Sequence, residues 1–105
     1  MQNTIIFSAS LTSAAILDGL QSSPRFHEDD IKGILDDDPA KLHKGFYGYR
    51  VVGMFSDIYS VIDELGLTHF VIGLADQRHM LIREYIFDKC KSLGLTPLSS
   101  IHTRS

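Results

Sequence analysis

The chain alternates between short apolar runs and longer segments in which apolar residues recur at the helical period. Runs of strand length occupy residues 4–7, 31–35 and 69–73. Helical patterns occupy residues 11–20, 55–65 and 75–93. Strands that alternate with helices of this length form βαβ units, and such units build a parallel sheet covered by helices. We therefore predict a small three-layer α/β domain with a short, mostly parallel sheet, formed as a single domain by residues 1–105.

Polar residues and glycines mark the ends of the predicted elements. Ser10 or Thr12 is placed to cap the first helix, and Gly66 and Gly94 stop the second and third. Residues 40–50 are interpreted as a loop, residues 49–52 as a short edge strand, and residues 95–101 as a last short strand. The apolar side of the third helix is predicted to consist of Met80, Leu81, Tyr85, Ile86, Cys90 and Leu93.

Composition and charge exclude several classes of protein. The net charge is −3, and the ten lysines and arginines are scattered, whereas nucleic-acid binding needs clustered cations. Apolar runs are far shorter than the roughly 20 residues of a membrane span, and no signal peptide is visible. The sequence therefore predicts a cytoplasmic protein that binds neither nucleic acid nor membrane. The lone cysteine, Cys90, is interpreted as a small packed hydrophobe.

Binding sites of parallel sheets lie beyond the carboxyl ends of the strands, which points to residues 8–12, 36–39 and 73–78. The first of these loops offers hydroxyl groups and the amides of a helix start, which suit a phosphate group. Its members are Ser8, Ala9, Ser10, Leu11 and Thr12. The alternative is that its hydroxyls only cap the helix, and the bulky Leu11 favours that alternative.

The other two loops contribute acids and a base. Asp36 and Asp37 follow the second strand, where a carboxylate can accept hydrogen bonds from a ribose diol or from the imide-like edge of a base. Asp36, nearest the strand end, is the candidate for this contact, with a solvated turn as the alternative, whereas Asp37 and Asp38 are expected to face solvent. Gly73 follows the third strand, and Arg78 is placed either to meet a phosphate or to pair with an acid. The five histidines are well separated, so no metal site is predicted.

Several short motifs occur in an order that resembles a known family. They are residues 5–10 (IIFSAS), 33–39 (GILDDDP), 49–53 (YRVVG), 70–73 (FVIG) followed by Arg78, and a closing segment at 98–102 (LSSIH). This order resembles the Rossmann-like N-terminal domain of bacterial sugar O- and N-acyltransferases of the PglD/NeuD type. In place of that family's opening glycines and histidine, this chain has Ser8, Ser10, Leu11 and Thr12.

The resemblance implies a module that binds the nucleotide part of a UDP- or CMP-linked sugar. Residues 8–12 would face the phosphates, and Asp36 with Asp37 would face the nucleoside. Acetyl-CoA and the catalytic histidine belong to the family's C-terminal β-helix, which the 105 residues do not include. We therefore expect no cofactor, no catalytic residue and no activity in this chain alone, and either a homo-oligomer or a separate catalytic subunit as partner.

Two other functions remain open at this stage. One is a non-catalytic interaction or regulatory domain on the same fold, with a degenerate nucleotide site and self-association through an apolar face or a sheet edge. The other is a small enzyme of the flavodoxin or response-regulator type. A response regulator needs acids after its first and third strands, whereas Ser8 and Gly73 occupy those positions here.

Overall fold

A computed structural model describes residues 3–24, 27, 30–74 and 80–98. The described residues form a mixed α/β structure of six strands and three α-helices, and two short 3-10 helices at Pro39–Lys41 and Phe55–Asp57 precede β3 and α2. The strands are β1 (Thr4–Phe7), β2 (Ile31–Leu35), β3 (Gly45–Phe46), β4 (Tyr49–Gly53), β5 (His69–Ile72) and β6 (Thr96–Pro97). The helices are α1 (Leu11–Gln21), α2 (Ile58–Glu64) and α3 (Met80–Ser92).

The six strands form one sheet in the order β3-β4-β2-β1-β5-β6. Only the β3–β4 pairing is antiparallel among the described strands, and every other pairing is parallel. The five parallel strands therefore run in the order third, second, first, fourth, fifth, which is compatible with a small Rossmann-like domain. The predicted class, a three-layer α/β domain with a short and mostly parallel sheet, is confirmed.

Two apolar cores lie on opposite faces of the sheet, because successive side chains of a strand point to opposite sides. On one face, Ile6 of β1 packs with Leu17 and Leu20 of α1. On the other face, Ile5 and Phe7 of β1 pack with residues of α2 and α3. The residues that these two helices contribute are Ile58, Val61, Ile86 and Cys90. The sheet is thus the middle layer, with α1 on one side and α2 and α3 on the other.

The helix boundaries follow local chemistry. Ser10 adopts an extended conformation, and its hydroxyl accepts a hydrogen bond from the Ser13 amide, so it is the N-cap of α1. Gly66 and Gly94 have φ values of +62° and +88°, which are backbone conformations that glycine adopts at helix C-termini. None of the described helices is long and apolar enough to cross a membrane.

The segment at residues 40–53 differs from its predicted structure. Residues 45–46 form β3, where the sequence predicts a loop, and β4 is an inner strand rather than the predicted edge strand. Tyr47 and Gly48 both have positive φ values, 53° and 87°, and connect β3 to β4 as a two-residue hairpin. The prediction failed because β3 is only two residues long and carries no alternation of polar and apolar residues.

The apolar side predicted for α3 is also partly wrong. Ile86 and Cys90 are buried, but Met80, Leu81 and Tyr85 are exposed. The described part of α3 begins at Met80, so the helix predicted for residues 75–79 lies outside the described residues. Residues 99–101 of the predicted last strand lie outside them as well.

Candidate functional site

Four of the parallel strands end side by side at one edge of the sheet. Phe7 of β1 is in register with Leu35 of β2 on one side and with Ile72 of β5 on the other. From β1, the chain adds β2 and β4 on one side and β5 and β6 on the other. The gap between β1 and β5 is therefore a topological switch point, where ligands of such sheets bind. The described parts of the three predicted loops, residues 8–12, 36–39 and 73–74, meet at this edge.

Ser8 and Ala9 begin the first loop and are both buried. Ser8 has a φ of +87°, in the left-handed region that favours glycine. Its amide donates a hydrogen bond to the Leu35 carbonyl at 2.6 Å, which anchors the turn to β2. Ser8 therefore has a backbone conformation that glycine adopts more readily than serine.

Asp36 ties the second loop to the first. Its Oδ2 accepts a hydrogen bond from the Ala9 amide at 2.8 Å, and its Oδ1 accepts one from the Asp38 amide, also at 2.8 Å. The carboxylate is buried and both of its oxygens are engaged within the protein. The alternative of a solvated turn therefore does not describe Asp36, whose carboxylate holds the two loops together.

Lys41 is a residue of this edge that the sequence did not single out. Its ammonium group donates a hydrogen bond to the Ala9 carbonyl at 2.8 Å and lies 3.7 Å from Asp36 Oδ2. It belongs to the 3-10 helix that begins after Asp38, whose own carboxylate caps that helix at Ala40. No local pattern in the sequence indicates that this lysine, one of two in residues 40–50, contacts the first loop.

Ser10, Leu11 and Thr12 form the start of α1 at the same edge. The amides of Leu11 and Thr12 belong to the first helical turn, which has no intrahelical acceptors, and no described residue accepts from them. The side chain of Leu11 is 90% exposed, so it extends into solvent. Among the described residues, the N-terminus of α1 thus has two amide donors without an acceptor, and it carries the positive end of the helix dipole.

Gly73 brings the end of β5 against the start of α1. Its carbonyl accepts a hydrogen bond from Ser10 Oγ at 2.7 Å, and its amide donates to the Phe7 carbonyl at 2.9 Å. A Cβ atom at this position would lie 3.0 Å from Ser13 Cβ and still closer to Ser13 Oγ. A residue with a side chain would therefore push α1 away from the sheet. Arg78, the remaining predicted site residue, lies outside the described residues.

Asp37 lines a groove on the face of the sheet that α2 and α3 cover, opposite α1. It lies at the end of the groove nearest the carboxyl edge of the sheet, which we call the upper end. Its Oδ1 accepts a hydrogen bond from the Phe55 amide at 2.7 Å, at the start of the 3-10 helix that leads into α2. The side chain is exposed, so its second carboxylate oxygen remains available to a ligand. Phe55 packs edge-to-face on Phe7, with ring centroids 5.6 Å apart.

The groove between α2 and α3 has a volume of about 340 Å³, within the range of small-molecule sites. Phe7, Ile58 and Ile86 are buried lining residues, while Tyr59 and Tyr85 are exposed lining residues. The full lining is Phe7, Asp37, Met54, Phe55, Ser56, Ile58, Tyr59, Ile82, Tyr85, Ile86, Lys89 and Cys90. The groove thus combines an apolar, aromatic surface with a small number of charged groups.

Lys89 and Cys90 are the two groove-lining residues of α3 whose pKa departs from its ordinary value. The Lys89 ammonium lies 5.5 Å from the ring centre of Tyr59 and 5.4 Å from that of Tyr85. A hydrogen bond to Tyr59 is the main reason that the pKa of Lys89 is raised above its ordinary value. Burial raises the pKa of the Cys90 thiol to about 12, so the thiol is protonated at neutral pH and is a poor nucleophile. In the described part of the chain, no group of His, Cys, Asp and Glu residues is arranged to hold a metal ion.

Comparison with known proteins gives structural matches only. No known protein family matches the chain, and no curated protein sequence matches it. A mutant of perosamine N-acetyltransferase from Caulobacter crescentus, solved in complex with CoA and GDP-perosamine, is 19% identical with a TM-score of 0.67. PerB from Caulobacter crescentus, in complex with the same two compounds, is 20% identical with a TM-score of 0.66. Each match covers 90% of this chain and 40% of the other chain, so this chain spans less than half the length of the structures it matches and shares their fold over that part.

Proposed function

We propose that this chain binds the nucleotide part of a nucleotide-linked sugar, as the N-terminal module of a sugar acyltransferase of the PglD/NeuD type. The observation that carries the proposal is that the α1 N-terminus and the Asp37 end of the groove both lie at the carboxyl ends of neighbouring parallel strands, β1 and β2. The fold shared with an N-acetyltransferase that was solved with GDP-perosamine supports it. Nucleotide-linked sugars are soluble anions, and we propose that this binding takes place in the cytoplasm.

The phosphates of the ligand would contact the start of α1. Unpaired amides at Leu11 and Thr12, together with the helix dipole, favour an anion there. Thr12 is half-buried in the same turn, and its hydroxyl adds a donor. Ser8, Ala9 and Ser10 would then act through the backbone turn that they form rather than through their side chains.

The base would enter the groove beside Asp37. Phe55 offers an aromatic surface at that end, and the second carboxylate oxygen of Asp37 can accept a hydrogen bond from a ring N–H or an exocyclic amine of a base. Asp36 lies one residue earlier but is committed to Ala9 and Asp38. We therefore assign base contact to Asp37 and the support of the phosphate loop to Asp36.

A substitution at Asp37 separates this contact from its structural role. Asp37→Asn keeps one oxygen to accept from the Phe55 amide but removes the second acceptor. We expect it to weaken nucleotide binding about tenfold, the usual loss for a hydrogen bond to a charged group. Asp38→Asn is the control, because Asp38 caps only the 3-10 helix at Ala40. Calorimetric titration with GDP, UDP and CMP measures the effect, and equal affinities of the two variants would contradict the assignment.

A second function is favoured by exposed apolar side chains. Leu81 and Tyr85 on α3 are 81% and 65% exposed, and clusters of this kind often mark interaction surfaces. We propose a non-catalytic interaction domain as the alternative, with Ser8 in place of glycine as a sign of a degenerate nucleotide site. This alternative predicts self-association in sedimentation experiments at high protein concentration and no response to any nucleotide. A strictly monomeric species that binds a nucleotide contradicts it.

A further inference from the structure

Lys41 and Asp36 together hold both polar backbone groups of Ala9. The carboxylate accepts from the Ala9 amide, and the ammonium donates to the Ala9 carbonyl, each at 2.8 Å. This fixes the two peptide groups that flank Ala9 in the loop that leads into α1. The same contacts hold the Lys41 ammonium, which ends a flexible chain of four methylene groups, at the carboxyl edge of the sheet. Its partner Ala9 lies two residues before Leu11, the first residue of α1.

The ammonium of Lys41 has donors that make no hydrogen bond within the described residues. A lysine ammonium carries three N–H donors; one donates to the Ala9 carbonyl, and the charge is paired with Asp36 Oδ2 at 3.7 Å, beyond hydrogen-bond distance. Its side chain is 42% exposed, so a ligand in solvent can reach the ammonium. The amides of Leu11 and Thr12, two and three residues after Ala9, are further donors for which no described residue is an acceptor.

We propose that Lys41 is the phosphate-binding cation of the site, held in place by Ala9 and Asp36, and that it makes the site prefer a nucleotide to the corresponding nucleoside. This inference rests on the proposed function. A phosphate oxygen accepts a hydrogen bond from a free N–H of Lys41, while the helix start donates to the same phosphate. An ammonium acts as a point charge and needs no fixed orientation of the phosphate, so Lys41 contributes to affinity for any phosphate of the ligand and not to selection of the base.

The test compares nucleotide and nucleoside on matched variants of the whole chain. GDP with guanosine and UDP with uridine are titrated by NMR shift changes against the unsubstituted protein, Lys41→Gln, Lys41→Arg and Lys44→Gln. We expect Lys41→Gln to weaken binding of the nucleotide about tenfold and to leave the nucleoside within about twofold. Lys41→Arg keeps the charge and most of the affinity. Lys44→Gln removes a like charge from the same segment and leaves both affinities unchanged.

Three results overturn the inference. An unchanged nucleotide affinity in Lys41→Gln shows that the ammonium does not meet the phosphate. An equal loss for nucleotide and nucleoside shows that Lys41 acts only by supporting Ala9. Absence of binding to the unsubstituted protein overturns the proposed function together with the inference, so the two failures are told apart by the unsubstituted protein. A weaker salt dependence of nucleotide binding in Lys41→Gln is the further expected result, because salt screens exposed charges.

Discussion

At the scale of single residues, two positions at the carboxyl edge are set by backbone geometry. Ser8 has a φ of +87°, and Gly73 lies where a Cβ atom would collide with Ser13. The sequence predicts that both residues follow the end of a strand, but no pattern in it indicates the positive φ at Ser8 or the close contact at Gly73. A positive φ at a serine and a close approach between a strand and a helix depend on contacts between residues far apart in the chain.

We predict that Gly73→Ala lowers the free energy of unfolding by about 2–3 kcal/mol, because overpacking of a tight contact costs about that much. The atoms in the way belong to Ser13, which is buried and donates a hydrogen bond from its hydroxyl to the Ser8 carbonyl, so they have no room to move. Gly19→Ala is the matched control. Gly19 lies on the exposed side of α1, and a Cβ atom there would meet no other atom within 4 Å, so alanine raises the free energy of unfolding by about 0.5–1 kcal/mol. Urea denaturation measures both, and equal effects would contradict the prediction.

We predict that Ser8→Gly raises the free energy of unfolding by about 0.5–1 kcal/mol. Glycine relieves a strain of about 1–2 kcal/mol at a positive φ and loses part of that gain through the greater entropy of its unfolded chain. Ser8→Ala keeps the Cβ atom and the strain, so it should bring no gain. Thermal and urea unfolding of the two variants check this, and an equal gain for alanine would show that the backbone at residue 8 is unstrained.

At the scale of elements, β1, α1 and β2 were predicted because their apolar patterns are regular and end in recognisable signals, such as the Ser10 cap. β3 and the position of β4 were not predicted, since a two-residue strand has no periodicity and since strand order depends on pairing between distant segments. For α3 the sequence predicts a single apolar side that packs against the core, and this prediction is only partly right. Ile86 and Cys90 are buried against the sheet, whereas Leu81 and Tyr85 remain exposed.

The packing of α3 can be tested through Cys90. The thiol is buried and its pKa is about 12, so only about one molecule in ten thousand carries a thiolate at pH 8. We predict that a thiol reagent labels Cys90 very slowly in the native protein and that the rate rises through the urea transition. The pKa of the thiol is higher in the folded protein, about 12, than its ordinary value of 9.0 in an unfolded chain. The protonated thiol therefore stabilises the fold below pH 9, and this contribution is lost as the pH rises towards 12. Fast labelling without urea would mean that α3 is not packed as described.

At the scale of the whole molecule, the sequence indicated the fold class and the edge of the sheet where the candidate site lies. It did so because alternation of strands and helices implies a parallel sheet, and parallel strands end together. The distribution of roles within the edge could not be predicted. Asp36 holds the loops together, Asp37 remains available, and Lys41 returns to the first loop, and each of these depends on contacts between segments about 20 to 30 residues apart.

The central claim is that nucleotide binding occurs at this edge, and nitrogen-15 NMR titration of the chain with GDP, UDP and CMP tests it most directly. We predict that at least one of the three shifts the amide signals of residues 8–12 and 36–38, together with those of residues 54–56 at the upper end of the groove. Signals from the amino edge of the sheet should stay in place. No shifts with any nucleotide at millimolar concentration, or shifts confined to the amino edge, would contradict the account.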